Sequence, residues 1–126
     1  MNINDLTIGQ AKELSNLFGS NASQSNHGAI GLKCIIRTYA SGVHFGEVIS
    51  VSSNDGRSRC ELKNARRIYY WKGAFTLSEM AAKGFDAKNS KICTTVEKHF
   101  IEDVIEFIPC SDESIKIIEG ASDYEV

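Results

Sequence analysis

The stretch Lys33–Ser52, KCIIRTYASGVHFGEVISVS, decides the fold because it has the pattern of two β-strands joined by a tight turn. Lys33–Tyr39 and Val43–Ser52 are rich in β-branched and aromatic residues, which favour strands. Between them lies Ala40-Ser41-Gly42, a three-residue loop with glycine where a left-handed backbone is needed. The stretch therefore predicts an antiparallel hairpin.

The three-residue loop also predicts the register of this hairpin. It sets Tyr39 opposite Val43 and Thr38 opposite His44. Arg37, Tyr39 and His44 then lie near one turn, where they could hold a ligand or a protein partner. A histidine beside a hairpin is also a common structural group, and no Ser, Cys or carboxylate is placed by spacing to form a nucleophile–base–orienter set. The hairpin therefore favours binding over catalysis.

Further strands follow this hairpin, and turn residues separate them. Gly46 interrupts the second strand and indicates a bulge or a sharp barrel bend. Asn54-Asp55-Gly56 is a hairpin turn signal, and Asn64-Ala65 predicts another tight connection. The predicted strands are Ser58–Lys63, Arg66–Trp71, Ser90–Lys98 and Val104–Ile108.

Three helices are predicted from their capping residues. A capping box at Thr7 begins an amphipathic helix within residues 1–19. A second capping box, Thr76–Glu79, begins a helix of about two turns that ends at Gly84. Ser111 caps a last short helix.

The order of these elements predicts the domain organisation and the fold class. The chain divides into an N-terminal helix (1–19), a polar linker (20–31), a β-rich core domain (32–120) and a frayed acidic tail (121–126), within a single domain overall. Short strands joined by tight turns predict an α+β fold. Its centre is a small curled antiparallel sheet or partly open β-barrel. An N-terminal helix, an inserted short helix and a short C-terminal helix accompany it.

Charge is unevenly distributed along the 126 residues, although the net charge is only −2. Residues 57–72 carry six cations and one acid, whereas residues 97–126 carry nine acids and two cations. Such blocks either face one another within one fold or drive subunits to pair. The second alternative, together with exposed strand edges, predicts a homo-oligomer. A negative net charge makes nucleic acid an unlikely partner for this chain.

The four cysteines, Cys34, Cys60, Cys93 and Cys110, form no CxxC pair and have no histidine at metal-ligand spacing. They predict reduced structural thiols, no metal site and a cytosolic compartment. No signal peptide pattern begins the chain, and no apolar run reaches the roughly 18 residues that span a bilayer. Phosphate-loop, dinucleotide and metalloprotease motifs are also missing. The sequence therefore predicts a cytoplasmic protein with no cofactor and no membrane partner.

The segment Asn64–Glu79, NARRIYYWKGAFTLSE, holds the only Trp, two of the four Tyr and three cations. On a strand, Arg67, Tyr69 and Trp71 share one face, while Arg66, Ile68, Tyr70 and Lys72 share the other. A guanidinium in line with two rings suits phosphate pairing and base stacking. The same pattern also fits a half-buried strand whose aromatic rings fill the core. The candidate ligand-binding residues are Arg37, Tyr39, His44, Arg66, Arg67, Tyr69, Trp71 and Lys72.

Three motifs in order, RTYASGVHFG (37–46), NARRIYYWKGAFTLSE (64–79) and IEFIPC (105–110), resemble a family of small uncharacterised proteins of tailed bacteriophages and prophages. That family carries RTYxxGVHxG and ARRI(W/Y)YWxGAFTLSE motifs. The resemblance covers about Lys33 to Cys110, and Tyr69 stands where Trp is frequent. It implies phage origin and expression in a bacterial cytoplasm, without an activity.

Three hypotheses of function follow, and none is an enzyme. The first is a phage-encoded binding protein that acts in the host cell as an anti-defence protein and sequesters a nucleotide-type signalling molecule between subunits. The second is a protein-interaction module, either an inhibitor of a host enzyme or a minor virion component. The third is a weak single-stranded nucleic-acid binder, against which the sequence pI of about 5.9 counts.

Overall fold

Six antiparallel strands form one curled sheet in the computed structural model, which describes residues 27–124. Two helices and one 3-10 turn complete this described part, so the predicted α+β fold with a curled antiparallel sheet is confirmed. The predicted helix 1–19 and residues 20–26 of the linker lie outside the described residues. The elements are β1 (Lys33–Thr38), β2 (Val43–Asn54), β3 (Arg57–Tyr70), α1 (Leu77–Lys83), the 3-10 helix (Ala87–Asn89), β4 (Lys91–Ile92), β5 (Val96–Ile101), β6 (Val104–Pro109) and α2 (Asp112–Gly120).

The sheet curls because its two ends are joined by one short turn. The strand order is β4-β3-β2-β1-β6, and β5 pairs with β3 beside β4. Only Glu102 and Asp103 separate β5 from β6, yet β6 pairs with β1 at the opposite edge of the sheet. The strands therefore form a half-barrel that is closed at this turn and open beyond it.

Each side of the sheet has its own hydrophobic cluster, as the alternation of strand side chains requires. The inner cluster lies inside the curl and includes Ile36, Val48 and Leu62. The helix-side cluster packs Phe45 and the other outward residues of β1–β4 against α1 and α2. Full burial of one such side chain contributes about 1.5–3 kcal/mol, so both clusters stabilise the sheet.

The predicted register of the first hairpin is wrong by two residues. Arg37 lies opposite Val43 and Ile36 lies opposite His44. Because the shift is an even number, every side chain keeps the side of the sheet that alternation gives it. His44 therefore faces the inside of the curl together with Ile36.

The hydrogen bonds of Thr38 explain this register. Its hydroxyl donates to Gly42 O at 2.8 Å and accepts from the Ser41 N–H at 2.9 Å, which closes a longer loop than the sequence suggested. The Tyr39 N–H turns away from β2 and donates to Asp103 O at 3.0 Å. The loop is thus attached to the β5–β6 turn.

The predicted connection at Asn64-Ala65 is also wrong, because β3 runs without a break from Arg57 to Tyr70. Asn64 has a φ of 52° and forms a bulge, after which Ala65 is fully buried in the inner cluster. Gly46 lies opposite this bulge. The register shift between Phe45 and Glu47 confirms the bulge predicted at Gly46, although its extra residue belongs to β3. A Cβ at Gly46 would lie 3.1 Å from Leu62 Cβ, so glycine permits the close approach of the two strands here.

The predicted strand Ser90–Lys98 is two strands, β4 and β5, which pair with different parts of β3. The break begins at Cys93, whose backbone N–H and carbonyl both bond to β3 residues. Its N–H donates to Arg67 O at 2.9 Å, and its carbonyl accepts from Arg66 Nε at 2.9 Å. These contacts are between residues distant in the chain, so the alternation of apolar residues within 90–98 could not predict the break.

Both predicted helix caps in the described residues are confirmed. Thr76 accepts from the Glu79 N–H at 3.1 Å at the start of α1, which ends at Gly84. Ser111 accepts from the Ser114 N–H at 3.1 Å at the start of α2. The caps fix where each helix begins and so place both helices over the same side of the sheet.

Candidate functional site

Arg66, one of the predicted ligand residues, is an internal clamp. Its side chain is 3% exposed and donates to the carbonyls of Ile118 (2.8 Å) and Ala121 (2.7 Å) and to the Asp123 carboxylate (2.7 Å). These carbonyls belong to the end of α2, where backbone acceptors lack helical partners. The guanidinium is therefore fully engaged within the fold and unavailable for a phosphate.

The clamp also fixes the start of the segment that the sequence predicted as a frayed tail. Asp123 is held by Arg66, and the Tyr124 N–H donates to Ile92 O at 2.9 Å. Residues 121–124 are thus docked on the edge of the sheet, and the prediction of fraying is wrong for them. Residues 121–124 dock because Arg66 is buried, and the sequence does not distinguish a buried arginine on β3 from an exposed one.

Trp71 does not share a face with Arg67 and Tyr69, so that prediction is wrong. A bulge lies between Ile68 and Tyr70, where two residues of β3 advance against one of β4. An extra residue reverses the alternation of side chains. Trp71 is half-buried and packs against the helix-side cluster.

Two further candidates lie apart from the rest. Arg37 is exposed on the helix side of β1 and pairs with Glu106 at 3.5 Å, so it is not next to His44. Lys72 is exposed beyond the end of β3, and its N–H donates to Ser90 Oγ at 3.0 Å. Neither residue is part of a common wall with Arg67.

The structure does bring Arg67 and Tyr69 together beside the β1–β2 loop. They line a cavity of about 430 Å³ with the loop residues 40–43 and Ile68. Arg67 and Ser41 also border a second cavity of about 230 Å³, which His99 and the β5–β6 turn line on the other side. We call these two adjoining cavities the Arg67 groove. Tyr69 is 71% exposed at one end of it.

His44 lies under the groove rather than in its wall. It is fully buried opposite Arg67, and its Nε2 donates to Ser41 O at 3.0 Å. The Nδ1 atom is buried without a hydrogen-bond partner among the described residues. Burial, with added repulsion from Arg67 and His99, lowers the pKa of His44 to about 4. The ring is therefore neutral at pH 7.

His99 is a groove residue that sequence reasoning missed. Its ring meets the His44 ring edge-on, with 5.3 Å between centroids. Burial and, after it, the Arg67 charge lower the pKa of His99. The alternating sequence around His99 does not indicate a binding residue. Only the folded sheet, which pairs β5 with β3, brings His99 beside the β1–β2 loop.

Lys91 lies beside Tyr69 at one end of the groove, whereas Tyr39 lies outside it. Tyr39 is 81% exposed and lines a separate cavity of about 370 Å³ with Arg57. The Lys91 ammonium lies 5.8 Å from the centres of Tyr69 and Tyr70 and 5.1 Å from Tyr124. Cation–π contacts of this length position the Tyr69 ring at the end of the groove.

The basic and acidic blocks face one another within the fold. Arg57 pairs with Asp103 at 3.3 Å and Arg59 with Glu102 at 3.1 Å, in addition to the Arg66 clamp. Within residues 27–124, Arg67 makes no ion pair. The groove therefore carries the positive charge of Arg67 at its centre.

The cysteine thiols lie away from the groove and are unpaired. Burial raises the pKa of Cys60 to about 12 and those of Cys34 and Cys110 to about 11. A thiol with so high a pKa is a poor nucleophile at neutral pH. Over the described range, no three His, Cys, Asp or Glu side chains are grouped as metal ligands. Nor does any helix there have the length and apolar character that crossing a bilayer requires.

A larger cavity, of about 660 Å³, lies between the 3-10 helix and residues 120–124. Its charged lining residues are two carboxylates and two cations, Asp86, Asp123, Lys88 and Lys116, and the Tyr124 ring also borders it. None of the eight residues predicted from the sequence lines it. The Arg67 groove is the better candidate site because two of the predicted residues line it, and one of them, Arg67, makes no ion pair among the described residues.

Comparison with known proteins gives a family but no activity. No curated protein and no solved structure matches the chain. One family model matches residues 31–118, a range that includes all six strands and the whole Arg67 groove. The chain thus belongs to the family described as a domain of unknown function, DUF6948.

Proposed function

We propose that this protein is a non-enzymatic binding protein that captures a nucleotide-type molecule in the Arg67 groove. One observation carries the proposal: the exposed guanidinium of Arg67 and the exposed ring of Tyr69 line the same cavity. A guanidinium forms charge-assisted hydrogen bonds with phosphate, and an exposed tyrosine ring stacks on a base. A nucleotide presents both groups at a fixed separation.

The chemistry of the surrounding groups supports binding rather than catalysis. His44 is sealed beneath the groove and holds its Nε2 proton on a backbone carbonyl. The nearest carboxylates, Glu102 and Asp103, are paired with arginines. Covalent catalysis requires a nucleophile next to a base. The Ser41 hydroxyl lies 3.4 Å from His44 Nε2, but this nitrogen carries the proton that it donates to Ser41 O, so it cannot take a proton from the hydroxyl.

The biological setting is part of the proposal and rests on the resemblance to phage proteins. In it, a phage expresses the protein in the bacterial cytoplasm, where it removes a nucleotide signal of host defence. The groove has walls on the loop and on β3, and a second subunit would cover the bound base. The active form in this proposal is therefore a homo-oligomer.

The test is calorimetric binding of a panel of linear and cyclic nucleotides to the purified chain. Arg67→Ala and Tyr69→Ala should each weaken binding by about 10–100-fold, because each removes roughly 1.5–3 kcal/mol of phosphate or stacking contact. Arg37→Ala is the matched control, since Arg37 is an exposed arginine outside the groove. Equal losses in Arg37→Ala and Arg67→Ala would contradict the assignment of the groove.

Native mass spectrometry of protein purified from bacteria adds a second measurement. It reports the number of subunits and any retained small molecule in one experiment. A 13.9 kDa monomer at tens of micromolar would remove the closure of the groove by a second subunit. Failure of every nucleotide to bind would remove the nucleotide proposal itself.

A protein-interaction module is the second candidate, and exposed apolar side chains favour it. Phe75 is 92% exposed in the loop before α1, and Phe100 and Tyr39 are also exposed. Aromatic residues of this kind act as anchors in protein interfaces. If this function is correct, Phe75→Ala should lose a host-protein partner while nucleotides leave the melting temperature unchanged. Weak binding of single-stranded nucleic acid has less support, because acids neutralise Arg57, Arg59 and Arg66.

A further inference from the structure

We propose that the smaller cavity of the Arg67 groove is an anion subsite for the phosphate group of the ligand, and that His99 takes up a proton when the phosphate binds. This inference rests on the proposed function and deepens it. It assigns the acidic end of the nucleotide to the cavity with His99 and the planar end to the cavity with Tyr69.

The first argument is the convergence of three nitrogen-bearing side chains from three strands. Arg67 of β3 lies opposite His44 of β2 in the sheet, and the His44 ring meets the ring of His99 from β5 at 5.3 Å. Arg67, His99 and Ser41 line the same cavity of about 230 Å³. A guanidinium and an imidazole are therefore available as donors to one small anion.

The second argument is the position of Arg67 between the two cavities. It lines both, as do the loop residues Ala40 and Ser41. The cavity with Tyr69 is about 430 Å³ and contains the exposed ring, whereas the cavity with His99 is about half that volume. The smaller volume suits a phosphate and the larger volume suits a base, so one nucleotide spans Arg67.

The charges around His99 favour proton uptake when an anion binds. Burial and, after it, the charge of Arg67 lower the pKa of His99 when the cavity is free. A phosphate next to Arg67 offsets that charge and stabilises the imidazolium. The other charged groups lining this cavity are Glu102 and Asp103, which pair with Arg59 and Arg57.

The two histidines should respond differently to an anion. The His44 ring is fully buried and its Nε2 proton is held by Ser41 O, so it has no access to the ligand. His99 is only half-buried and lines the cavity. Proton uptake on phosphate binding is therefore expected at His99 alone.

The inference is tested by NMR titration of the ring signals between pH 5 and 8, which is practical because the chain has only three histidines. The probes are inorganic phosphate, adenosine monophosphate and adenosine. The two phosphates should raise the titration midpoint of His99 by about one pH unit, a tenfold gain in proton affinity. Adenosine should leave it unchanged, and the signals of His27 and His44 should not respond to any probe.

Variants sharpen this test by calorimetry with adenosine monophosphate. In wild type, affinity should rise several-fold from pH 8 to pH 6, below the tenfold limit that a midpoint shift of about one pH unit sets. His99→Gln should flatten this dependence, and Arg67→Ala should weaken binding by about 10–100-fold at both pH values. His27→Gln is the matched control, because His27 packs against Phe107 in a tilted arrangement away from the groove. This variant should keep the wild-type pH dependence.

The outcomes separate the two proposals. If adenosine monophosphate binds and the His99 midpoint does not move, the phosphate subsite is wrong and nucleotide capture stands. If inorganic phosphate moves the His99 midpoint and no nucleotide binds, the anion subsite stands and nucleotide capture fails. If no probe binds, both proposals fail.

Discussion

Arg66 and Arg67 are neighbours in the chain, yet they belong to two regions with opposite properties. Arg66 lies on the helix side of β3, where it is buried and joins the end of α2 to the sheet. Arg67 lies on the other side, exposed in a groove beside the β1–β2 loop. One step along a strand therefore separates a structural cation from a candidate binding cation.

The largest expected effect tests this comparison through stability. Arg66→Ala leaves three backbone carbonyls and the Asp123 carboxylate without their donor, and should lower the free energy of unfolding by about 3 kcal/mol. Arg67→Ala removes an exposed side chain and should change it by less than about 0.5 kcal/mol. Urea denaturation of both variants measures the difference. Similar losses for the two would show that the regions are not distinct.

The pH dependence of stability tests the buried floor of the groove. The folded pKa of His44 is about 4, below the ordinary 6.5, so the unfolded chain binds more protons between these values. Stability should therefore be greatest above pH 6.5 and fall by about 3 kcal/mol towards pH 4. His99 adds to the fall in the same direction.

The measurement for this prediction is urea unfolding at several pH values between 4 and 7.5. His44→Gln should flatten the dependence, while His27→Gln should leave it as in wild type. A wild-type stability that rises as the pH falls below 6.5 would contradict a neutral, sealed His44.

The smallest expected effect compares the two aromatic residues that the bulge separates. Trp71→Ala should cost about 2 kcal/mol, less than the roughly 3–5 kcal/mol of a fully buried aromatic, because the ring is half-buried in the helix-side cluster. Tyr69→Ala should cost about 0.5 kcal/mol, since its ring is mostly exposed. Thermal melts of the two variants measure this contrast. A larger loss for Tyr69→Ala would place its ring in the core instead.

The sequence predicted those parts of the fold that local chemistry specifies. The capping residues Thr76 and Ser111 each satisfy backbone donors within three residues, so the helix starts can be inferred directly. The β-branched and aromatic residues and Gly42 predict the hairpin correctly, but the hydrogen bonds of Thr38 close a loop longer than the predicted three residues. These features depend on neighbours in the chain.

The site was less predictable because two bulges of β3 change which side chains share a face. Asn64 in a left-handed conformation is equally compatible with a turn and with a bulge, and only its pairing with β2 distinguishes them. The second bulge sends Trp71 to the helix side. Of the sequence-predicted residues, Arg67 and Tyr69 line the groove, with His44 beneath it. His99 comes from a distant strand.

The Arg66 clamp has a consequence for the order of events during synthesis. Arg66 and Asp123 are 57 residues apart in the chain. At a translation rate of roughly 5–20 residues per second, Arg66 waits about 3–11 seconds for its partner. During that interval the guanidinium has no partner that would offset the cost of its burial, so Arg66 stays hydrated and the helix side of the sheet stays exposed on the nascent chain. The loop hairpin, whose contacts are local, has no such delay, and we expect it to form first.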